Sequence, residues 1–223
     1  MYVTIPTVET SSPVAGFANT HPRAMETRLK AGAYLFFEGD EVEWLYLVKK
    51  GVLRLTRLLE DGRRQVIAFG YPGDVIGFPA EGLHHTDCDV LVDVELQPYR
   101  LSCLEGTCRQ EDIHRQLLQA ALREISGMQD HFMMLGRKSA AEKVASFLCV
   151  LADRVGEQVG DLTQVELPMK RTDIADFLGL TTETVCRTLT QLRKDGVIAI
   201  ENIHTIIVLE PSALLALSRG GEP

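Results

Sequence analysis

The sequence predicts an α+β protein that consists of an N-terminal β-roll, a long dimerisation helix and a C-terminal winged helix-turn-helix domain. Short β-type runs separated by turn residues fill the first half, and an apolar seam at helical spacing follows them. Two short helical patterns joined at a glycine then precede a hairpin pattern. We expect a mobile tail at residues 1–20, a β-roll at 21–108, the dimerisation helix at 109–136 and the winged helix-turn-helix domain at 137–223.

The composition is that of a globular protein with room for two modest hydrophobic cores. Of 223 residues, 45% are hydrophobic and 24% are charged, and the net charge is −8. This acidic balance excludes a protein that coats nucleic acid by bulk electrostatic attraction, so any DNA binding must be local. The sequence contains neither an apolar run of about 18 residues nor a signal peptide, so we expect a cytoplasmic protein that does not enter a membrane.

The five cysteines indicate free thiols rather than a disulfide framework, because their number is odd and paired short spacings are missing. Cys103 and Cys108 form a C-x4-C pair, but the sequence has no second pair to complete four ligands. We therefore expect no metal site and no iron–sulfur cluster.

The β-roll is predicted from runs rich in Val, Ile, Leu, Phe and Tyr between Leu29 and Leu101. Turn signals lie between the runs, at Gly39-Asp40, Lys50-Gly51, Asp61-Gly62 and Pro72-Gly73-Asp74. Many short strands at roughly even spacing are typical of a sandwich or jelly roll. The runs are YLFFEGD (34–40), EWLYLVKKG (43–51), VLRLTRLL (52–59), RQVIAFG (64–70) and DVLVDVELQ (89–97).

An apolar seam predicts a long helix between Glu111 and Leu135. Its members are spaced 3, 4, 3, 4 and 3 residues apart, which is the a/d pattern of a coiled coil. One interpretation is an amphipathic helix that packs on its own domain. A seam of this length between two domains is better explained by pairing with a second copy, which predicts a parallel homodimer. The seam residues are Leu118, Ala121, Ile125, Met128, Phe132 and Leu135.

Residues 137–156 predict a further helix. Ser139 and Glu142 form the S-x-x-E capping box, so Ser139 is the expected N-cap and Gly136 the expected hinge before it. A polar loop is expected from Gly156 to Gln164.

The stretch RTDIADFLGLTTETVCRTLTQLRKDGVIAI (171–200) predicts a helix-turn-helix, and residues 197–209 predict the hairpin that forms its wing. Thr172 is expected to cap the first helix and Thr181 the second, with stops at Gly179 and Gly196. The inward faces are predicted to carry Ile174, Ala175 and Leu178 on the first helix and Val185, Leu189 and Leu192 on the second.

The exposed face of the second helix carries four candidate base-reading residues, Thr182, Glu183, Cys186 and Arg187, with Thr190 one turn later. Glu183 can accept from a cytosine amino group and Arg187 can donate twice to guanine, so together they could read one G·C pair. Their i, i+4 spacing also fits a solvated salt bridge, and within this motif base reading is the favoured interpretation. Residues 166–200 hold five basic and five acidic residues, so non-specific affinity should be weak. Phosphate contacts are expected from Lys170, Arg171, Thr172, Thr181 and Thr184.

Four stretches resemble the CRP/FNR superfamily of bacterial transcription regulators, over nearly the whole chain after about residue 21. The E-T-V-x-R form of the second helix is most similar to the FNR and FixK branch. The resemblance implies a cyclic-nucleotide-binding-like β-roll and a dimer that binds a TTGA…TCAA palindrome. It also implies that Glu183 and Arg187 read bases, that the turn of Glu60, Asp61, Gly62 and Arg63 contacts RNA polymerase, and that the targets are nitrogen-fixation and microoxic-respiration genes. The stretches are LFFEGDEVEWLYLVKKGVLRL (35–55), DGRRQVIAFGYPGDVIGF (61–78), LGRKSAAEKVASFL (135–148) and RTDIADFLGLTTETVCRTLTQLRKDGVI (171–198).

Differences from the family's sequence pattern determine which regulatory ligand or cofactor is expected. Residues 72–90 lack the arginine that pairs a cyclic phosphate, and no cysteine precedes Cys88, so neither a cyclic nucleotide nor an FNR-type cluster is expected. His84 and His85 are expected to be polar surface or turn residues rather than metal ligands. The FixK branch generally acts without a cofactor, and we expect the same here. The alternatives are an unidentified small-molecule effector in the β-roll and, from another class, a jelly-roll metalloenzyme, for which the His and Glu cluster is missing.

Cys186 lies beside Arg187 in the first turns of the second helix, where the helix dipole and nearby cations favour a thiolate. One interpretation is a small residue at a position that Ser or Gly would also fill. The other is a redox brake, because oxidation to sulfinate or sulfonate adds bulk and negative charge at the DNA face. Glu183 partly opposes a thiolate at this position.

Overall fold

The computed structural model describes residues 26–105 and 111–221, so the predicted tail at residues 1–20 and Cys108 lie outside the described residues. The chain divides into two units, of which one ends at Ser126 and the other begins at Gly127. The division falls inside the helix predicted to mediate dimerisation. Within the described residues, no helix is long and apolar enough to cross a membrane.

The first unit is built on an antiparallel sheet, which confirms the predicted β domain. In the described residues the strand order is β1-β6-β3-β4, with β2 paired to β6 and β5 paired to β3. The strands are β1 (Thr27–Leu29), β2 (Tyr34–Phe36), β3 (Trp44–Leu58), β4 (Arg64–Gly70), β5 (Val75–Ile76) and β6 (Asp87–Arg100).

The turn predicted at Lys50-Gly51 is wrong, because β3 runs continuously through both residues. The register between β3 and β6 shifts on either side of Gly51, which has a φ of 84°. A side chain there would collide with the backbone oxygen of Asp93 on β6. Gly51 therefore marks a bulge, where a residue without a Cβ lets two long strands stay paired while they bend.

Two apolar layers form the core of this unit. One lies within the sheet and includes Phe36, Leu53 and Leu96. The other joins Leu45, Leu47 and other sheet residues to Ile113, Leu117 and Ala120. These last three residues belong to α2 (Glu111–Arg137), which follows the short α1 (Leu101–Leu104), so the first turns of the long helix are held against the sheet.

The predicted long helix is confirmed as α2, but Gly136 is not a hinge in front of the next helix. Gly136 lies in the last turn of α2, and the Lys138 N–H still donates to the Met134 carbonyl at 3.1 Å. The helical path breaks at Ser139, which has an extended backbone with a ψ of 167°. Capping at Ser139, rather than the flexibility of glycine, ends one helix and starts the next.

The second unit contains α3 (Ala140–Val155), whose predicted capping box is confirmed. Glu142 N–H donates to Ser139 Oγ at 3.4 Å, and the Glu142 carboxylate accepts from Ser139 N–H at 2.6 Å. The polar loop predicted from Gly156 to Gln164 is wrong, because β7 (Glu157–Val159) and β8 (Leu162–Glu166) form a hairpin there. Gly160, with a φ of 64°, provides the left-handed residue that this two-residue turn requires.

The helix-turn-helix and its wing complete the second unit. The described sheet has the order β7-β8-β10-β9, so the hairpin after α3 extends the wing by two strands. The remaining elements are α4 (Arg171–Leu178), α5 (Thr182–Lys194), β9 (Ile198–Ile200), β10 (Thr205–Val208) and α6 (Pro211–Ser218). The predicted helix-turn-helix followed by a β-hairpin is thereby confirmed.

Candidate nucleic-acid interface

Helix α4 begins two residues earlier than predicted, so the assignment of Thr172 as its cap is wrong. Lys170 occupies the N-cap position with a ψ of 160°, and its N–H donates to the Asp173 carboxylate at 3.0 Å. Asp173 thus satisfies a backbone donor that would otherwise be unpaired at the helix start. Thr172 lies in the first turn of α4 with its side chain exposed.

The turn between the two helices agrees with the prediction. Gly179 is left-handed with a φ of 61° and a ψ of 42°, and Leu180 N–H donates to the Ala175 carbonyl at 3.0 Å. Thr181 caps α5, because its Oγ1 accepts from Thr184 N–H at 3.1 Å. The two threonine hydroxyl oxygens lie 2.8 Å apart, so these side chains organise the start of α5 as well as being predicted phosphate contacts.

The inward faces of both helices are buried as predicted, which fixes the rotation of α5 about its own axis. Burial of each such side chain contributes about 1.5–3 kcal/mol to folding. Phe177, which the sequence prediction did not single out, adds an aromatic layer by stacking on His131 at 4.4 Å between ring centroids. The buried residues are Ile174, Ala175 and Leu178 on α4 and Val185, Leu189 and Leu192 on α5.

Helix α5 presents the four predicted base-reading side chains to solvent. Thr182, Glu183, Cys186 and Arg187 are all exposed. Glu183 Oε1 and Arg187 Nη1 lie 3.7 Å apart, and the two side chains are 79% and 80% exposed. An exposed pair at this distance stabilises a protein by about 0–1 kcal/mol at most, so little free energy holds these groups together. The geometry fits both a solvated pair and two groups that are free to reach into a groove.

The residues predicted to contact phosphates at the start of α4 differ in their exposure to solvent. Lys170 is exposed, whereas Arg171 is half-buried and its Nη1 is buried without a hydrogen-bond acceptor among the described residues. Burial lowers the pKa of Arg171, and attraction to Cys186 acts in the opposite direction. Lys170 is therefore the more accessible of these two cations.

The tip of the wing is a feature that the sequence prediction missed. Ile203 is 73% exposed, between β9 and β10. Asn202 shapes this tip through its side chain, because Asn202 Oδ1 accepts from His204 N–H at 2.7 Å and Asn202 Nδ2 donates to Thr205 Oγ1 at 3.0 Å. An Asn two residues before His204 in a short hairpin is a recognisable turn signal, and it could have identified the tip from sequence.

The seam on α2 is largely exposed. Phe132, at 75% exposed, is the extreme case, and Leu118, Ile125 and Met128 are also exposed, while Ala121 and Leu135 are half-buried. The prediction omitted Leu122 and Met133, which flank the seam and are exposed as well. These side chains form an apolar stripe that the described part of the chain does not cover.

The turn predicted to contact RNA polymerase is an ordered, exposed projection between β3 and β4. Asp61 accepts from the N–H and the Nε of Arg63, at 3.0 Å and 2.7 Å, and these bonds lower the pKa of Asp61. Gly62 has a φ of 82°, and Glu60 is exposed beside it. Charged groups are thus presented in a fixed arrangement.

His84, predicted to be a polar surface or turn residue, is buried instead of lying at the surface. His84 is 6% exposed, and its ring stacks on Phe36 with 3.6 Å between centroids, so burial lowers its pKa. His85 is exposed in the following bend, as predicted. Cys88 is buried in the sheet, and burial raises the pKa of its thiol. Among residues 26–105 and 111–221, no three His, Cys, Asp or Glu side chains are placed to hold a metal ion.

Two family models match separate parts of the chain. Residues 26–102 match the family model of the cyclic nucleotide-binding domain, and residues 142–217 match that of the Crp-like helix-turn-helix domain. The chain is 37% identical over 196 residues to the nitrogen fixation regulation protein FixK of Rhizobium meliloti (strain 1021), covering 88% of each chain. It is 40% identical over 190 residues to FixK of Bradyrhizobium diazoefficiens, covering 84% of this chain and 79% of that one. The solved structure of FixK2 from Bradyrhizobium japonicum superposes with a TM-score of 0.77 at 34% identity, covering 86% of this chain and 96% of that one.

Proposed function

We propose that this chain, which belongs to the CRP/FNR family of transcription regulators, binds a TTGA…TCAA-type palindrome as a homodimer and recruits RNA polymerase. The family consists of regulators and not of enzymes, and the chain is an activator of the FixK and FNR type. The observation that carries the proposal is the exposed pair of Glu183 and Arg187 on α5. The buried face of α5 fixes which residues point outward, so these two side chains have a defined direction. In the groove, Arg187 donates to guanine and Glu183 accepts from the paired cytosine.

The exposed stripe on α2 supports the proposal of a palindromic operator. A twofold-symmetric dimer presents two copies of α5 to two half-sites, so the symmetry of the operator mirrors that of the protein. Phe132 and Met128 are large apolar side chains that a second copy would bury. Since the helix-turn-helix carries as many acidic as basic residues, one copy alone should bind weakly, and affinity should depend on both half-sites.

Recruitment of polymerase is assigned to the turn of residues 60–63. The hydrogen bonds that Asp61 accepts from the N–H and the Nε of Arg63 favour one shape of this turn, which reduces the conformational entropy lost when a partner binds. The neighbouring Leu58 and Leu59 are exposed and provide apolar area beside the charged groups. The relatives named as regulators of nitrogen fixation suggest target genes of nitrogen fixation and microoxic respiration.

Redox control is assigned to Cys186, which is exposed on the same face as the base-reading pair. Oxidation to sulfinate adds a fixed negative charge where DNA phosphates approach, and binding should be lost. A Cys186→Ser variant should bind DNA and resist peroxide, whereas Cys186→Asp should fail to bind. A Ser variant as sensitive to peroxide as the wild type would exclude this role.

The experiment that tests the proposal is fluorescence anisotropy with a labelled TTGA…TCAA duplex and reduced protein in the absence of any added ligand. Binding at nanomolar concentrations that is lost with a duplex whose half-sites are scrambled is the expected result. Absence of binding by the reduced wild-type protein would contradict cofactor-free activity. The search would then move to an effector of the β-roll, detected as a ligand-dependent rise in melting temperature.

A further inference from the structure

The last turns of α2 are part of the core of the second unit. His131 and Met134 on α2 are 7% and 3% exposed. The His131 ring stacks on Phe177 of α4, with 4.4 Å between the ring centroids and 23° between the ring planes. Phe177 also contacts Phe147 of α3, at 5.8 Å between centroids. An aromatic layer therefore joins the end of α2 to α4 and α3.

Lys138 holds the corner between α2 and α3, because it lies after the last residue of α2 and before the N-cap of α3. Its Nζ donates to Ser146 Oγ at 2.7 Å and to the Ser218 carbonyl at 2.7 Å. Ser146 belongs to α3, Ser218 is the last residue of α6, and both are fully buried. Hydrogen bonds from a charged donor are among the stronger ones in proteins. The direction in which α3 leaves α2 is therefore fixed by bonds to two other helices.

The opposite face of the same turns carries part of the exposed seam. Met128 is 48% exposed and Phe132 is 75% exposed, although Phe132 directly follows the buried His131. Neighbouring residues point about 100° apart around a helix, so one short segment can present two different faces. This segment thus carries both the side chains assigned to contact a second copy and those that pack against α4. In a dimer paired through the seam, these inward contacts would set the separation of the two copies of α5.

We propose that Lys138 and the stack of His131 on Phe177 are positioning elements that determine which spacing of the two half-sites the dimer accepts. This inference rests on the homodimer and the palindrome proposed above. One base pair added between the half-sites moves one of them by about 3.4 Å along the DNA axis and by about 35° around it. A dimer with rigidly held copies of α5 reaches both half-sites only at a cost in DNA deformation. A dimer with a loosened corner follows the displaced half-site, so it discriminates less between spacings.

The first test compares Lys138→Met, which removes both hydrogen bonds and keeps an apolar stem, with Lys138→Arg, which keeps a charged donor. Arg137→Met is the matched control, because Arg137 is the exposed neighbour at the end of α2. Fluorescence anisotropy of the full chain gives the Kd for the palindrome, for the palindrome with one added base pair and for a single half-site. The preference of the wild type for the palindrome over the lengthened duplex should fall about tenfold in Lys138→Met. A more flexible linkage lowers the effective concentration of the second copy of α5 at its half-site.

The single half-site should be bound by Lys138→Met with a Kd within about twofold of the wild-type value, because none of the positioning residues needs to touch DNA. Lys138→Arg and Arg137→Met should keep most of the preference between spacings. The second test replaces the stacked ring: His131→Ala should lose the preference, and His131→Phe, which can keep the stack on Phe177, should retain it. Circular dichroism melting checks folding of each variant, and sedimentation analysis checks that it is dimeric.

A wild-type preference between spacings in both Lys138→Met and His131→Ala would overturn the inference. A merely structural role would weaken binding to all three duplexes by the same factor and leave the preference unchanged, which would overturn it as well. The proposed function fails separately, in the wild type alone, if the palindrome is bound no more tightly than the single half-site. A wild type that prefers the palindrome but accepts both spacings equally would support the dimer and exclude the positioning role.

Discussion

Replacement of Arg187 by alanine should weaken specific DNA binding strongly and leave folding almost unchanged. The side chain is 80% exposed, and its one described ion pair, with Glu183, spans 3.7 Å. Loss of such a pair changes the free energy of unfolding by less than about 1 kcal/mol. Loss of a bidentate contact to guanine costs about 1–3 kcal/mol per half-site, or roughly 2–6 kcal/mol for a dimer on a palindrome.

The Kd for the specific duplex should therefore rise by about 30-fold to about 10⁴-fold, since each 1.4 kcal/mol is about tenfold in Kd. Fluorescence anisotropy measures the affinity, thermal melting measures the stability, and Arg193→Ala serves as an exposed arginine control on the same helix. A change of less than threefold on the specific duplex would refute base reading by Arg187. An equal loss on specific and scrambled duplexes would identify a phosphate contact instead.

Three further predictions concern the core of the second unit, the α2 seam and the pH dependence of stability. Val185→Ala removes two buried methyl groups from the core beneath α5 and should lower the free energy of unfolding by about 1–3 kcal/mol. A denaturant titration measures this change. Thr182→Ala, on the exposed face of the same helix, should change the free energy of unfolding little. Phe132→Glu should yield a monomer in sedimentation analysis with weakened binding to the palindrome, and a variant that stays dimeric would contradict the role of the seam. Burial lowers the pKa of His131 to about 4, below the usual value of about 6.5. The unfolded state therefore binds the proton more readily than the folded state does. The contribution of neutral His131 to folding stability should be fully present above about pH 6.5 and should be lost as the pH falls toward 4. His131→Phe, which can keep the stack on Phe177, should flatten that pH dependence in melting experiments, and an unchanged slope would assign it to other groups.

Features determined by residues close together in the chain were predictable from sequence. The capping box of Ser139 and Glu142 depends on a three-residue spacing, and the left-handed stop at Gly179 depends on a single residue type. The same local rule misplaced the start of α4, because Thr172 is a good capping residue but Asp173 pairs with the Lys170 N–H. Whether Lys170 or Thr172 lies at the N-cap position depends on how the whole helix packs, which a local sequence rule does not include.

Features that depend on distant partners were not predictable. Gly51 resembles a turn residue, and its place inside β3 follows from pairing with β6, some forty residues later. His84 is buried because Phe36 provides a ring to stack on. The exposed face of α5 was predictable, because helical periodicity alone separates it from the buried face. The partial burial of Arg171 was not, because it depends on residues outside its own helix.

The opposite charges of Glu183 and Arg187 should affect how quickly such a protein dissociates from DNA that is not its operator. On arbitrary DNA the carboxylate of Glu183 is repelled by the backbone and largely cancels the attraction of its arginine, so a chance encounter gains little. A base pair that separates the two groups and binds each of them removes this cancellation. Complexes with non-operator DNA should therefore be short-lived, so that little of the protein is bound at non-specific sites. A modest number of molecules can then occupy the few true operators.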